Sequence, residues 1–232
     1  MRPQFLVRKT HKWLGLILGI QILLWFISGF LMSYMPINEV RGAHLLKTTE
    51  PKPLRLNNID LSQIIDQVNS PIKSLVVKPW LGQTVVLVTT AERSWLFETP
   101  SMKPIQSLTE SHIKRILNTQ LKTGFQIQSI KRLTETPNEA RGRQAPLWQV
   151  QLADEENTRI YISEHDGEIV ATRTNQWRLF DFLWMLHIMD YDERTDFNHP
   201  LLYLTALFAA LFTLSGFVLL YFRFRKNTLR QK

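Results

Sequence analysis

No cysteine occurs anywhere in the chain, which excludes disulfides, thiolate metal sites and a cysteine nucleophile. The absence suits an oxidising compartment, where a free thiol is a liability. Acidic residues are missing from both ends, and charge of either sign is missing from two long stretches, Trp13 to Asn38 and Pro200 to Phe222. Also absent are a G-x-S-x-G elbow, an H-E-x-x-H pair, a phosphate loop and a dinucleotide fingerprint, so the familiar hydrolase, zinc-protease and nucleotide-binding signatures are not met.

What is there begins with apolar content, 44% of 232 residues, enough for a folded core and against global disorder. The formal charge of +8 would suggest nucleic acid if it were spread over a domain face. It is not spread. Arg2, Arg8, Lys9 and Lys12 precede the first uncharged stretch, and Arg223, Arg225, Lys226, Arg230 and Lys232 follow the second. Taking these nine charges from +8 leaves the middle at −1, so nucleic acid is not an expected partner.

Leu14 to Met35 is mostly Leu, Ile, Phe, Trp and Met, enough helix at about 1.5 Å per residue to cross roughly 30 Å of hydrocarbon. A cleaved signal peptide is the alternative. The run exceeds the usual apolar core of such a peptide, however, and Gly29 to Ser33 stand where a small-residue cleavage site would be sought. The second stretch opens with Pro200 behind Asn198, a plausible helix start. Basic residues flank both stretches on their outer sides. The positive-inside rule therefore predicts two transmembrane helices with both termini cytoplasmic and everything from about residue 37 to 199 on the far side. Antiparallel helices are expected to set residues whose numbers sum to about 235 at one depth, pairing Gly19 with Gly216 and Gly29 with Ala206. Gly15, Gly19 and Gly216 are the expected helix-packing residues. Pairing with a second copy of the chain fits the same pattern.

Between the stretches, Pro36 to Leu56 has no strong period and contains Pro51, Lys52 and Pro53, so it reads as linker. A helix is predicted from Asp60 to Val68, with strands at 72–77, 84–89 and 94–97. A second helix is predicted from Thr109 or Ser111 to Leu121, with strands at 125–133, 147–152 and 158–162, an Asp166-Gly167 turn and a last extended piece through Val170. The fold class is α+β, with a helix-plus-antiparallel-sheet unit occurring twice between two membrane spans. The expected division is a basic tail (1–12), a span (13–36), a linker (37–59), two repeats (60–107 and 108–172), an interfacial helix with an acidic loop (173–199), a second span (200–222) and a second basic tail (223–232).

The run Leu147 to Leu152, then Thr158 to Ile162 and the Asp166-Gly167-Glu168-Ile169 turn, resembles the ending of a PepSY domain. The first unit departs from that pattern, ending in Glu98, Thr99, Pro100 and Ser101, and would be a degenerate copy. His11-Lys12-Trp13-Leu14-Gly15 resembles the H-R-W-L-G opening of PepSY-associated transmembrane proteins, with Lys12 in place of the usual arginine. The resemblance implies a protein of the bacterial inner membrane with a periplasmic domain. It implies two functions of different class. One is a non-catalytic binding or assembly module, whose partner is a periplasmic polypeptide taken by strand addition or a second copy of the chain. The other is a haem-bearing subunit of a ferric or siderophore reductase linked to iron uptake.

Six histidines are available to the second reading. His112 and His165 fall in a first helical turn and a tight turn, where a solvated side chain is expected. His11 and His199 lie at opposite ends of their spans, so one haem cannot bridge them. The candidate ligands of a b-type haem are His11, His187, His199 and His44, and neither apolar run itself contains a histidine. A homodimer would place His11 of both chains around an inner haem and His187 or His199 around an outer one. Trp177, Phe180, Trp184 and His187 share one helical face, which reads first as an aromatic belt anchoring the chain at the lipid bilayer surface, with His187 a polar tip at its edge. Asp190, Asp192, Glu193 and Asp196 follow, a cluster that reads as a wet loop or a hard-cation site.

Overall fold

The computed structural model describes residues 3–48, 54 and 59–230, with side chains for 5–48, 54 and 59–225. Arg2, Pro51, Lys52, Pro53 and Lys232, and the side chains of Lys226 and Arg230, lie outside the described residues. The chain divides into two compact units, Met1–Pro36 with Leu179–Lys232, and Ile37–Arg178.

The first unit is built on two long helices, α1 (Pro3–Tyr34) and a C-terminal helix (Pro200–Arg230). Both are long and apolar enough to cross a membrane. Leu16, Ile17, Ile20, Phe26 and Phe30 on α1, and Leu207, Phe208, Leu214 and Phe217 on the other, are exposed, as lipid-facing side chains are.

The second unit starts directly after the first span. A one-turn helix α2 (Ile37–Val40) buries Val40, and a 3-10 turn (Ala43–Leu45) follows. Leu46 bridges to Leu121, Lys47 N–H donates to the Gln120 carbonyl, and Lys122 N–H donates to the Leu45 carbonyl. Residues 37–48 are thus folded into the domain, where a free linker was expected. No apolar period announces them because a single buried Val40 and backbone bonds hold them in place. Gly42, at φ +71°, sits where an added Cβ would come within 2.8 Å of Thr172 Cβ.

Helix α3 (Leu61–Val68) is capped by Asp60, whose carboxylate accepts the Ser62 N–H at 3.1 Å. It leads into the antiparallel meander β1 (Ser74–Trp80), β2 (Gln83–Thr89) and β3 (Ser94–Glu98). Helix α4 (Glu110–Gln120) opens with a capping box, Thr109 on the His112 N–H and His112 on the Thr109 N–H. A second meander follows, β4 (Ile127–Leu133), β5 (Leu147–Leu152), β6 (Arg159–Ser163) and β7 (Ile169–Arg173). The helix-then-meander order therefore occurs twice, and the architecture is α+β flanked by the two long helices.

Strand alternation sorts the core. Val86, Val88 and Phe97 face Ile64 and Val68 of α3, while Val85 and Leu96, on the opposite face of the same sheet, join Ile113, Ile116 and Leu117 of α4. Val150, Ile160 and Ile162 of the second sheet close on α4 from the other side. Helix α4 is therefore the shared middle layer of both sheets, which is why its three isoleucine and leucine side chains are fully buried. The Asp166-Gly167 turn reaches back to the first sheet: Gly167, at φ +67°, lies under Trp80, and a Cβ there would stand 3.1 Å from Trp80 Cε2. Lys78 Nζ ties the same turn to β1 through Glu168 at 2.6 Å.

Helix α5 (Asn175–Ile188) runs unbroken through the boundary between the units, and the C-terminal helix is α6.

Candidate functional site in the helix pair

Within the first unit, two imidazoles are seated in the same way at opposite ends of the helix pair. His11 Nδ1 lies 2.7 Å from Ser215 Oγ, its ring stacks on Phe212 with centroids 4.4 Å apart, and its Cε1 stands 3.3 Å from where a Cβ on Gly216 would be. His187 Nδ1 lies 3.0 Å from Ser28 Oγ, and its Cε1 is 3.3 Å from where a Cβ on Gly29 would be. Each seat is a Ser-Gly step, in which the glycine makes room for the ring and the serine holds one nitrogen.

The serine hydroxyls bear on which ring nitrogen carries hydrogen. Ser215 Oγ donates its one hydrogen to the Phe212 carbonyl at 2.6 Å, and Ser28 Oγ donates its own to the Leu24 carbonyl at 2.6 Å. Each hydroxyl is then left to accept from the histidine, an assignment that puts hydrogen on Nδ1 and turns Nε2 away from the serine. Neither Nε2 has a hydrogen-bond partner among the described residues. An imidazole held by its Nδ1–H with a free Nε2 lone pair is the form that binds a metal, its orientation set by the outer hydrogen bond.

The other expected ligands differ. His199 engages Nε2 itself, on the Ile188 carbonyl at 2.9 Å. His44 belongs to the second unit, where it lines a pocket of about 240 Å³ with Leu121, Phe125 and Leu152. His112 is the capping-box residue of α4 and tilts against Trp80, and His165 bonds the Ala145 carbonyl, so both have partners where solvated side chains were expected. Trp177 lies beneath the Arg173 guanidinium at 4.1 Å, and Trp184 donates to the Arg194 carbonyl. Phe180 and Trp184 are half-buried, and the exposed apolar side chains of α5 are Leu179 and Phe182.

The expected helix register needs correction. His11 meets Ser215 and Gly15 meets Phe212, pairs summing to 226 and 227 instead of 235. Gly216 faces His11 in place of Gly19, Gly29 faces His187 in place of Ala206, and nothing stands within 4 Å of a Cβ on Gly19. Aromatic rings fill the space beside the glycines, so the register follows the rings and not a glycine-to-glycine approach.

A sequence signal for these seats exists. Ser28-Gly29-Phe30 and Ser215-Gly216-Phe217 are the same tripeptide, each followed by a tyrosine six positions after the serine, Tyr34 and Tyr221. Each is also preceded by a histidine, His11 by 17 positions and His199 by 16. Because the helices run antiparallel, this is an inverted repeat. His11 fills its seat as the repeat requires, whereas the other seat takes His187 from α5.

The acidic loop is internally satisfied. Asp190 accepts the N–H groups of Asp192, Thr195 and Asp196, and Arg194 pairs with the buried Asp181 at 2.6 Å. Among the described residues no group of three or more His, Asp or Glu is placed to hold a metal ion.

A family model described as the PepSY-associated TM region matches residues 8–232. The chain belongs to the PepSY-associated transmembrane family. It is a membrane protein, and both Ser-Gly seats and both apolar runs lie inside the match. No curated protein and no solved structure matches the chain.

Proposed function

We propose that this PepSY-associated protein is a haem-carrying subunit of a redox system in the bacterial cytoplasmic membrane, with both termini cytoplasmic and the two-sheet domain periplasmic. The observation that carries the reading is the matched pair of imidazoles, His11 and His187, each held by a serine through Nδ1 with Nε2 left without a partner among the described residues. These residues suit a haem iron as one axial ligand per seat. Ser28 and His11 are 17 residues apart on α1, roughly 25 Å along the helix, so no haem spans the two seats. A second copy of the chain would supply the second imidazole at each level. Haem b supplies one-electron transfer through its iron. The chain's own part is to fix the imidazole tautomer, strengthen it as a donor through the Ser-Gly step, and surround it with apolar helix. A ferric chelate reaching the periplasmic side is the acceptor this arrangement suits.

The visible spectrum of protein purified in detergent after haem-replete expression tests this. A Soret band is expected, reduced by roughly half in His11→Ala and in His187→Ala and unchanged in His44→Ala. Absence of the band sinks the redox reading.

A second reading, a non-catalytic module that binds a polypeptide, draws on β1. Among the described residues that strand pairs with β2 alone, and its Val76 is 46% exposed. A colourless protein that captures an outer-face partner in intact-cell crosslinking supports this alternative.

A further inference from the structure

The second sheet has one face buried on α4 and an opposite face whose chemistry neither function uses. Its register places Ser129 opposite Gln151, Gln151 opposite Arg159 and Arg159 opposite Arg173 in one row across all four strands. The adjoining row runs Lys131, Gln149, Tyr161 and Ala171. A groove of about 520 Å³ opens on this face, lined by Gln128, Ser129, Lys131, Gln149, Gln151, Asn157 and Arg159. Every lining residue is polar, two are cationic and none is acidic.

Positive charge is in excess behind the groove as well. Arg159 and Arg173 are direct cross-strand neighbours, an unfavourable like-charge pair. The nearby carboxylate of Glu139 is already shared by Tyr161 Oη at 2.9 Å, Arg178 Nε at 2.8 Å and Arg159 at 3.2 Å. Arg173 donates to the Glu139 backbone carbonyl at 2.6 Å and to the Thr172 carbonyl at 3.1 Å and lies over the Trp177 ring, with no bond to the Glu139 carboxylate. Burial, together with the charges of Arg141 and Arg143, pushes its pKa down to about 10. Of the other acids nearby, Glu156 accepts the Gln176 N–H and Glu155 holds Asn175 through its carbonyl. The Arg159 side chain is 41% exposed, and its Nε donates to Gln151 Oε1 at 3.0 Å. One guanidinium edge is thus pinned inward and the side chain borders the groove beside Lys131.

We propose that this sheet face is a binding site for a phosphate-bearing ligand. Lys131 and Arg159 contact the oxyanion, and Ser129 and Gln149 complete its hydrogen bonding, while Gln151, whose amide donates to the Leu152 and Thr158 carbonyls, holds Arg159 in place. Guanidinium and ammonium groups among neutral amide and hydroxyl donors match the charge and the several acceptor oxygens of a phosphate. The Glu139, Arg173 and Arg178 set positions Arg159 and keeps the local field positive. The same chemistry is offered by an anionic phospholipid headgroup and by a soluble phosphate ester.

The test uses the full-length protein at physiological salt. One arm titrates inorganic pyrophosphate calorimetrically into detergent-solubilised protein. The other follows amide exchange of β4 to β6 in phosphatidylcholine nanodiscs with and without phosphatidylglycerol. Pyrophosphate binding without lipid protection identifies a soluble ligand, and lipid-dependent protection alone identifies a headgroup. A response in both arms also supports the site. In each case Lys131→Glu and Gln149→Glu, at residues that make no bond to Glu139, are expected to weaken binding at least tenfold. Arg159→Gln should do the same if it folds. No response in either arm, or binding unchanged in Lys131→Glu and Gln149→Glu, overturns the proposal.

Discussion

At the scale of single residues, the glycines of the two spans do unequal work. A Cβ on Gly15 would stand 2.9 Å from Phe212 Cε2, and that ring cannot swing away freely because it stacks on His11. Gly15→Ala is therefore expected to destabilise the helix pair by about 1–3 kcal/mol, the usual cost of overpacking. Gly19→Ala, with open space around its Cβ, should cost less than about 0.5 kcal/mol. Denaturation of the detergent-solubilised variants compares the two, and equal losses would refute the contact assignment. In the sequence Gly15, Gly19 and Gly216 are alike, because a small-residue stripe looks the same wherever it lies. Which glycine touches a ring depends on the offset between two helices distant in the chain. The imidazole seats hide for the same reason, even though the repeated Ser-Gly-Phe tripeptide is plain to read. Its partner histidines lie 204 and 159 positions away.

At the scale of elements, the 3-10 turn Asn138–Ala140 is held to β6 and α5 by Glu139. Burial opposes ionisation of this carboxyl, but the hydrogen bonds from Arg178 and Tyr161 and the charges of Arg178 and Arg159 outweigh it, so its pKa is lowered. A carboxylate depressed in the folded state adds stability that is present above its unfolded value of about 4.3 and is lost as pH falls through the folded value. Glu139→Gln should therefore weaken amide protection of β6 and β7 at neutral pH and flatten its decline below about pH 4. A decline as steep as in the parent protein would remove Glu139 from that role. Elements with a strong period were legible in sequence. The Asp60 cap and Leu61–Val68 stripe mark α3, and β5 has the expected bounds, Leu147–Leu152. Residues 37–48 and the Glu139 turn were not legible, because backbone pairing and one shared carboxylate leave no pattern along the chain.

At the scale of the whole molecule, topology is the property most open to a direct test, since the absence of native cysteine makes single-cysteine labelling clean. Glu135→Cys is expected to react with an impermeant maleimide in spheroplasts, and Thr10→Cys only after lysis. The reverse pattern would overturn the orientation drawn from the basic tails. The sequence by itself determined the two spans, their flanking charge and the twice-used helix-then-meander order, because lipid thickness and hydrophobic period act on residues close together in the chain. Tertiary structure alone decided that α4 serves both sheets and that arginines of β6 and α5 gather about one carboxylate. It also decided that two histidines are seated by serines with one nitrogen left open. Each of these depends on contacts between distant segments, whose register is chosen by packing and hydrogen-bond geometry that no local pattern encodes.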